Sequence, residues 1–254
     1  LFGKVLYEIK FSQAIAKDLL SDYQVIVVGV DDPMIQQKII NRDLLMTDGK
    51  IIDAERLAST IAVAKSIKDY ELNRLITFHG RVKGAKQFAE DFEEIVQWIP
   101  EQSRPEGIIN CEYVSGVMKS SERNEKIQRL KKINQGERKI LSNARCLSEG
   151  VDVPTLDGIA FIDPKRSQVD IIQAVGRAIR KSDNKSVGTI ILPVYLADAE
   201  NTEDEVLASR FSDIWQIILA LKSQDDSLME TIDHLRISLG SKAIDIEKRT
   251  GLEK

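Results

Sequence analysis

The sequence is poor in the residues that build disulfide frameworks and metal centres. Its 254 residues include two cysteines, Cys111 and Cys146, and two histidines, His79 and His234. Neither their number nor their spacing gives a disulfide scaffold or a zinc site, so the expectation is reduced, partly buried thiols and no metal ligand. Long apolar runs are missing too, and no stretch reaches the roughly 20 apolar residues of a membrane span. No secretory signal is recognisable at the amino end. The resulting expectation is a cytoplasmic chain without a membrane partner. Nor is positive charge in excess: a net charge of −4 argues against a basic grip on nucleic acid over the whole surface. Lys126, Arg129, Lys131, Lys132, Arg138 and Lys139 form a local basic run, which reads as a solvated helix face.

Several nucleotide and hydrolase signatures are also missing. The phosphate loop G-x-x-x-x-G-K-[ST] does not occur, since Gly-Lys pairs appear only at Gly3-Lys4 and Gly49-Lys50. Without it, no run of amides and no lysine cradles a triphosphate. G-x-G-x-x-G and G-x-S-x-G are likewise absent. The carboxylate pair Asp204-Glu205 lies in an acidic linker and is not read as a magnesium site. The chain therefore lacks a complete active site of a common α/β type.

What is present is a regular alternation. With 43% hydrophobic and 30% charged residues the chain has enough apolar material for a packed core. Strands are predicted at 23–30, 74–79, 107–116, 138–143, 157–163 and 188–196, with helices at 53–70, 82–99 and from Ser121. Ser167 and Asp170 form an S-x-x-D box opening a further helix. Strand-helix repeats of this length predict a mostly parallel sheet covered by helices on both faces, an α/β three-layer fold. Residues 1–22 precede this domain of 23–197, and 33–50 reads as an insertion. Residues 198–254 read as an acidic linker followed by a helical hairpin with stripes Phe211, Ile214, Ile218, Leu221 and Leu228, Ile232, Leu235, Leu239. The first residue is Leu1, which leads to the expectation of a piece of a longer polypeptide.

Two segments carry candidate chemistry. "SEGVDVP" (148–154) brings Gly150 and Asp152 to the edge where parallel sheets bind ligands. "QAVGRAIRK" (173–181) places Gln173, Arg177 and Arg180 on one helical stripe. A rigidly held arginine can stabilise charge on a transferring phosphoryl group.

At these residues a resemblance becomes specific. "ILSNARCLSEGVDVPTLDGIAFIDPKRSQVDIIQAVGRAIRK" resembles motifs V and VI of superfamily 2 helicases and translocases, with Q-x-x-G-R-x-x-R at Gln173, Gly176, Arg177 and Arg180. "LITFHGRVKGAKQFAEDF" resembles motif IV, and "VSGVMKSSERNEKIQRL" the segment that follows it. The likeness covers about residues 1–196 and points to bacterial DEAD/DEAH-type helicases related to restriction-enzyme helicase subunits.

The resemblance implies a second RecA-like domain of a P-loop NTPase-type motor, with 1–22 as the connector from a first domain. ATP and Mg2+ would be bound mainly by that first domain. Arg177 and Arg180 would act as arginine fingers, and Gly150, Asp152, Gln173 and Gly176 would line the nucleotide. Nucleic acid, read as DNA, would meet His79, Arg81, Ser115, Gly116, Ser142 and Asn143. Family members often carry Ser or Thr five or six residues before the motif V glycine, where this chain has Arg145 and Ala144. The expected whole is an ATP-dependent, restriction- or defence-associated DNA helicase or translocase, with this piece inactive alone. An RNA helicase domain, or a non-catalytic interaction module that keeps the fold, are the alternatives.

Overall fold

Six strands form one sheet, and the central strands β2 and β5 are buried along nearly their whole length, as apolar runs covered on both faces are. The computed structural model describes residues 9–30, 52–144, 146, 156–163, 167–182, 187–195 and 204–225. The strands are β1 (Asp22–Val30), β2 (Arg74–His79), β3 (Ile108–Ser115), β4 (Glu137–Ala144), β5 (Gly158–Phe161) and β6 (Val187–Tyr195). Their order is β1-β6-β5-β2-β4-β3, and every neighbouring pair is parallel. The helices are α1 (Phe11–Ala16), α2 (Ala54–Asp69), α3 (Val82–Trp98), α4 (Ser120–Lys131), α5 (Gln168–Ala178) and α6 (Asp204–Lys222). The result is the three-layer α/β fold that the alternation predicts, with the RecA-like character that the resemblance implies.

Strand alternation sorts the core into two halves. Leu75, Ile140, Ala160 and Ile191 face α2 and α3, where they meet Leu57, Ile61, Phe88 and Phe92. Ile76, Leu141, Ile159, Ile190 and Leu192 face the other way, onto Ile171 and Val175 of α5 and Ile214, Ile217 and Leu221 of α6. Each fully buried side chain of this size contributes about 1.5–3 kcal/mol. Helix α2 is buried on nearly all sides because it lies between β1, β6 and α3. Its first turn is capped by Asp53, whose side chain accepts from Arg56 N at 2.8 Å.

Two details differ from the sequence reading. Helix α4 starts at Ser120 with Lys119 at the N-cap, two residues earlier than a Ser121 cap implies. Helix α6 begins beyond the expected boundary at 197/198, yet it completes the core half beneath α5. Its end is fastened to the start of the domain: Phe11 N donates to Gln224 O at 2.8 Å, and Tyr23 Oη donates to Asp225 Oδ2 at 2.8 Å inside the protein. The insertion at 33–50 and the second half of the hairpin lie outside the described residues.

Candidate functional site

The arginine helix is built as its sequence requires. Ser167 caps α5 by accepting from Asp170 N at 3.4 Å, and Ile171, Ala174, Val175 and Ala178 form the buried stripe at helical spacing. Gln173 is exposed on the opposite side, and Arg177 is half-buried. Gly176 rests against the connector: a Cβ there would lie 3.9 Å from Phe11 Cζ.

Arg180 departs from the regular stripe. Helix α5 stops at Ala178 with Ile179 as its C-cap, and Arg180 instead forms an antiparallel bridge with Leu20. The cause is the segment before β1, which runs along the helix end and donates Ser21 N to Ile179 O at 2.8 Å. Lys181 adds an ion pair with Asp18. The exposed Arg180 is thus held through its backbone by the connector, a long-range contact that helical periodicity does not encode.

The second group of candidates gathers at the carboxyl edge. Register places His79 of β2 and Ser115 of β3 level with Ala144 of β4. Asn143 lies one step back in β4 and Ser142 two. Gly150 and Asp152 lie outside the described residues.

Burial changes what this edge can offer. His79 is 4% exposed, Ser115 and Ser142 0% and Asn143 2%. The His79 ring packs on Phe88 at 5.0 Å between centroids, and its Nε2 lies 3.0 Å from Thr77 Oγ1. Burial lowers its pKa from 6.5 to about 3, so the imidazole is neutral in any ordinary buffer. Asn143 Oδ1 accepts from Cys146 N at 3.3 Å and fastens the turn after β4. These four side chains are thus enclosed within the domain, which leaves the exposed groups and the main chain of this edge as its accessible donors. Arg81 and Gly116 remain exposed. Arg123 braces the turn at Gly116 through Met118 O at 3.0 Å and Gly116 O at 3.3 Å.

The two groups stand at opposite ends of the sheet. Helix α5 leaves the carboxyl side of β5 and returns to the amino end of β6, a run of about 16 Å at 1.5 Å per residue. Arg180 therefore sits beside Leu20, just before β1 begins.

The basic run is largely engaged within the chain. Arg129 pairs with Glu112 and Glu125, each at 2.6 Å. Arg138 donates to Glu106 O at 2.7 Å and Leu72 O at 2.8 Å. Burial pushes the Glu112 carboxyl up, but hydrogen bonds and charge from Arg129 and Lys126 hold it below the usual carboxylate range. Cys111 and Cys146 are half-buried and form no disulfide, and burial raises the Cys111 pKa, with Glu93 and Glu112 adding to it. Among the described residues, no group of three His, Cys, Asp or Glu side chains converges as a metal site.

One residue of this edge carries no motif signal. Asp163, just beyond β5, accepts from Gly80 N at 3.2 Å. A carboxylate directly after an apolar strand, in "DGIAFID", is the only trace of it in the sequence.

Comparison with known proteins agrees with this geometry. Residues 59–182 match the family described as "Helicase conserved C-terminal domain". The solved ATP-dependent Type ISP restriction-modification enzyme LlaBIII bound to DNA superposes with a TM-score of 0.77 at 30% identity. That match covers 91% of this chain and 16% of the enzyme's. Probable helicase A859L of African swine fever virus is 41% identical over 91 residues, which is 36% of this chain and 10% of the viral protein. The chain thus spans a small part of the relatives it resembles.

Proposed function

The chain carries a superfamily 2 helicase C-terminal domain, with residues 59–182 matching the family, and on that premise we propose that it is the second motor domain of an ATP-driven DNA helicase or translocase. The observation that carries this reading is the mounting of the arginine helix. Its buried stripe is fixed on the sheet, and the backbone at Arg180 is tied down by Leu20 and Ser21. The amide of Gln173 and the guanidinium of Arg180 are left on the surface.

Such a donor set suits the anionic oxygens of a triphosphate. Bound ATP with Mg2+ supplies the phosphoryl bond whose cleavage drives the motor. In this reading Arg180 and Arg177 neutralise charge on that group from across a domain cleft, and Gln173 orients within it. Gly150 and Asp152 are assigned to the nucleotide by the same motif order. The phosphate loop and the magnesium carboxylates are assigned to a first RecA-like domain of the same polypeptide, and this part alone is expected to be inactive. Restriction- or defence-associated work and a cytoplasmic setting belong to the same proposal.

Nucleic acid is met at the carboxyl edge by Arg81 and by main-chain groups near Gly116. Contacts of this kind are phosphate-directed, so binding is sequence-tolerant and weakens with salt.

The test joins this chain to its first domain and replaces Arg180 with alanine. Loss of an arginine finger lowers turnover by about 10³-fold or more. Because Arg180 is exposed, the melting temperature stays unchanged. Wild-type turnover in Arg180→Ala refutes the reading. Assays with single-stranded DNA, double-stranded DNA and RNA identify the activating polymer.

A further inference from the structure

Asp163 does more than end a strand. Its N–H donates to Phe78 O at 3.3 Å, and its carboxylate accepts from Gly80 N at 3.2 Å. The two bonds fall on either side of His79, so one residue brackets the last residue of β2 from both directions. Ile162 N also donates to Phe78 O at 3.1 Å, and the Phe78 and Phe161 rings stack at 5.5 Å just below. The space is closed as well. A Cβ on Gly80 would stand 2.5 Å from Asp163 Oδ2, inside contact distance, so glycine is what lets the carboxylate come this close.

The bracket joins the two halves of the proposed site. On one side it fixes the turn from His79 to Arg81, which opens α3 and meets nucleic acid in the motor reading. On the other, Asp163 lies four residues before Ser167, the cap of the arginine helix. A side chain of one turn thus grips the main chain of the other.

We propose that Asp163 is a positioning residue that couples nucleic-acid engagement at the turn after β2 to the setting of the arginine helix. The inference rests on the motor reading. Asp163 touches neither substrate. It holds the Gly80 amide and the Phe78 carbonyl in one register, so a shift of the nucleic-acid turn is felt at Asp163, four residues before the cap of α5.

The test uses the polypeptide containing both motor domains, with ATPase measured with and without double-stranded DNA. Asp163→Ala removes the acceptor, and Gly80→Ala drives the carboxylate away. Asp163→Ala is expected to leave basal turnover and DNA affinity within about twofold and to cut DNA stimulation about tenfold, within the usual range of coupling between sites. Gly80→Ala, which lies in the turn that meets nucleic acid, is expected to cut stimulation by a similar factor at saturating DNA. Asp163→Asn keeps an acceptor oxygen and restores most of the stimulation. The double variant Gly80→Ala/Asp163→Ala is no worse than the more severe single variant, because both break one contact.

Full stimulation in both single variants overturns the proposal. So do multiplicative effects in the double variant, or equal loss of basal and stimulated turnover, which marks a purely structural role. If a variant fails to fold, Gly80 amide exchange in the wild-type protein decides: slow exchange supports the bracket and fast exchange overturns it. Arg180→Ala run in parallel separates the two levels. Normal turnover there removes the motor reading itself, whereas an inactive Arg180→Ala with normally stimulated Asp163→Ala removes only the bracket.

Discussion

His79 offers a measurement that depends only on the fold. Its ring is 4% exposed, packed on Phe88 and bonded to Thr77, and burial lowers its pKa from 6.5 to about 3. The folded state therefore refuses a proton that the unfolded state accepts. The sign follows from linkage: below the unfolded value of 6.5 the unfolded chain gains a proton and stability falls as pH falls, until the folded state also protonates near 3. Between about pH 8 and about pH 5 this single group removes about 2 kcal/mol. Other groups add their own slopes, so the informative quantity is a difference. Denaturant unfolding of the wild-type chain and of His79→Asn is compared at the two pH values. Asparagine keeps a polar contact for Thr77 but does not titrate. The variant is expected to be less stable at high pH and to lose about 2 kcal/mol less than wild type on acidification. Parallel stability-against-pH curves would show that the imidazole is not buried in the neutral form, and its enclosure within the domain fails with it.

The remaining predictions concern how the arginine helix is mounted. Tyr23→Phe removes the buried bond to Asp225 and should lower stability by about 1–3 kcal/mol, read as a drop in the urea midpoint. An unchanged midpoint would mean that α6 is not fastened through Tyr23. Gly188→Ala places a Cβ 2.5 Å from Ala178 O, pushing β6 away from the end of α5. A loss of about 1–3 kcal/mol is expected, together with faster amide exchange at Ile179 and Arg180, and wild-type exchange there contradicts this packing.

Much of the fold was legible because it depends on local and periodic signals. Apolar runs such as "YQVIVVGV" mark strands, although β1 ends the strand order and buries Tyr23 and Val27 while Val25, Ile26 and Val28 are half-buried. The Ser167 cap with Ile171, Ala174, Val175 and Ala178 marks an amphipathic helix. The candidate site was legible only in part. Motif spacing selects Gln173, Arg177 and Arg180 but carries no information on depth, so Ser115 and Ser142 looked available when both are fully buried. Burial is decided by what packs over a strand, here α3 over β3 and β4, and not by the strand's own residues.

Chain order alone is enough for the alternation of elements, the caps, and the motif order that identifies the domain, because each is a property of neighbours along the chain. Packing in three dimensions is what holds Arg180 against Leu20, latches α6 through Tyr23 and Asp225, and lets Asp163 grip both sides of His79. These contacts join residues 83 to 202 positions apart. They exist because the parallel sheet brings distant strand ends side by side, a proximity set by strand order and invisible to local periodicity.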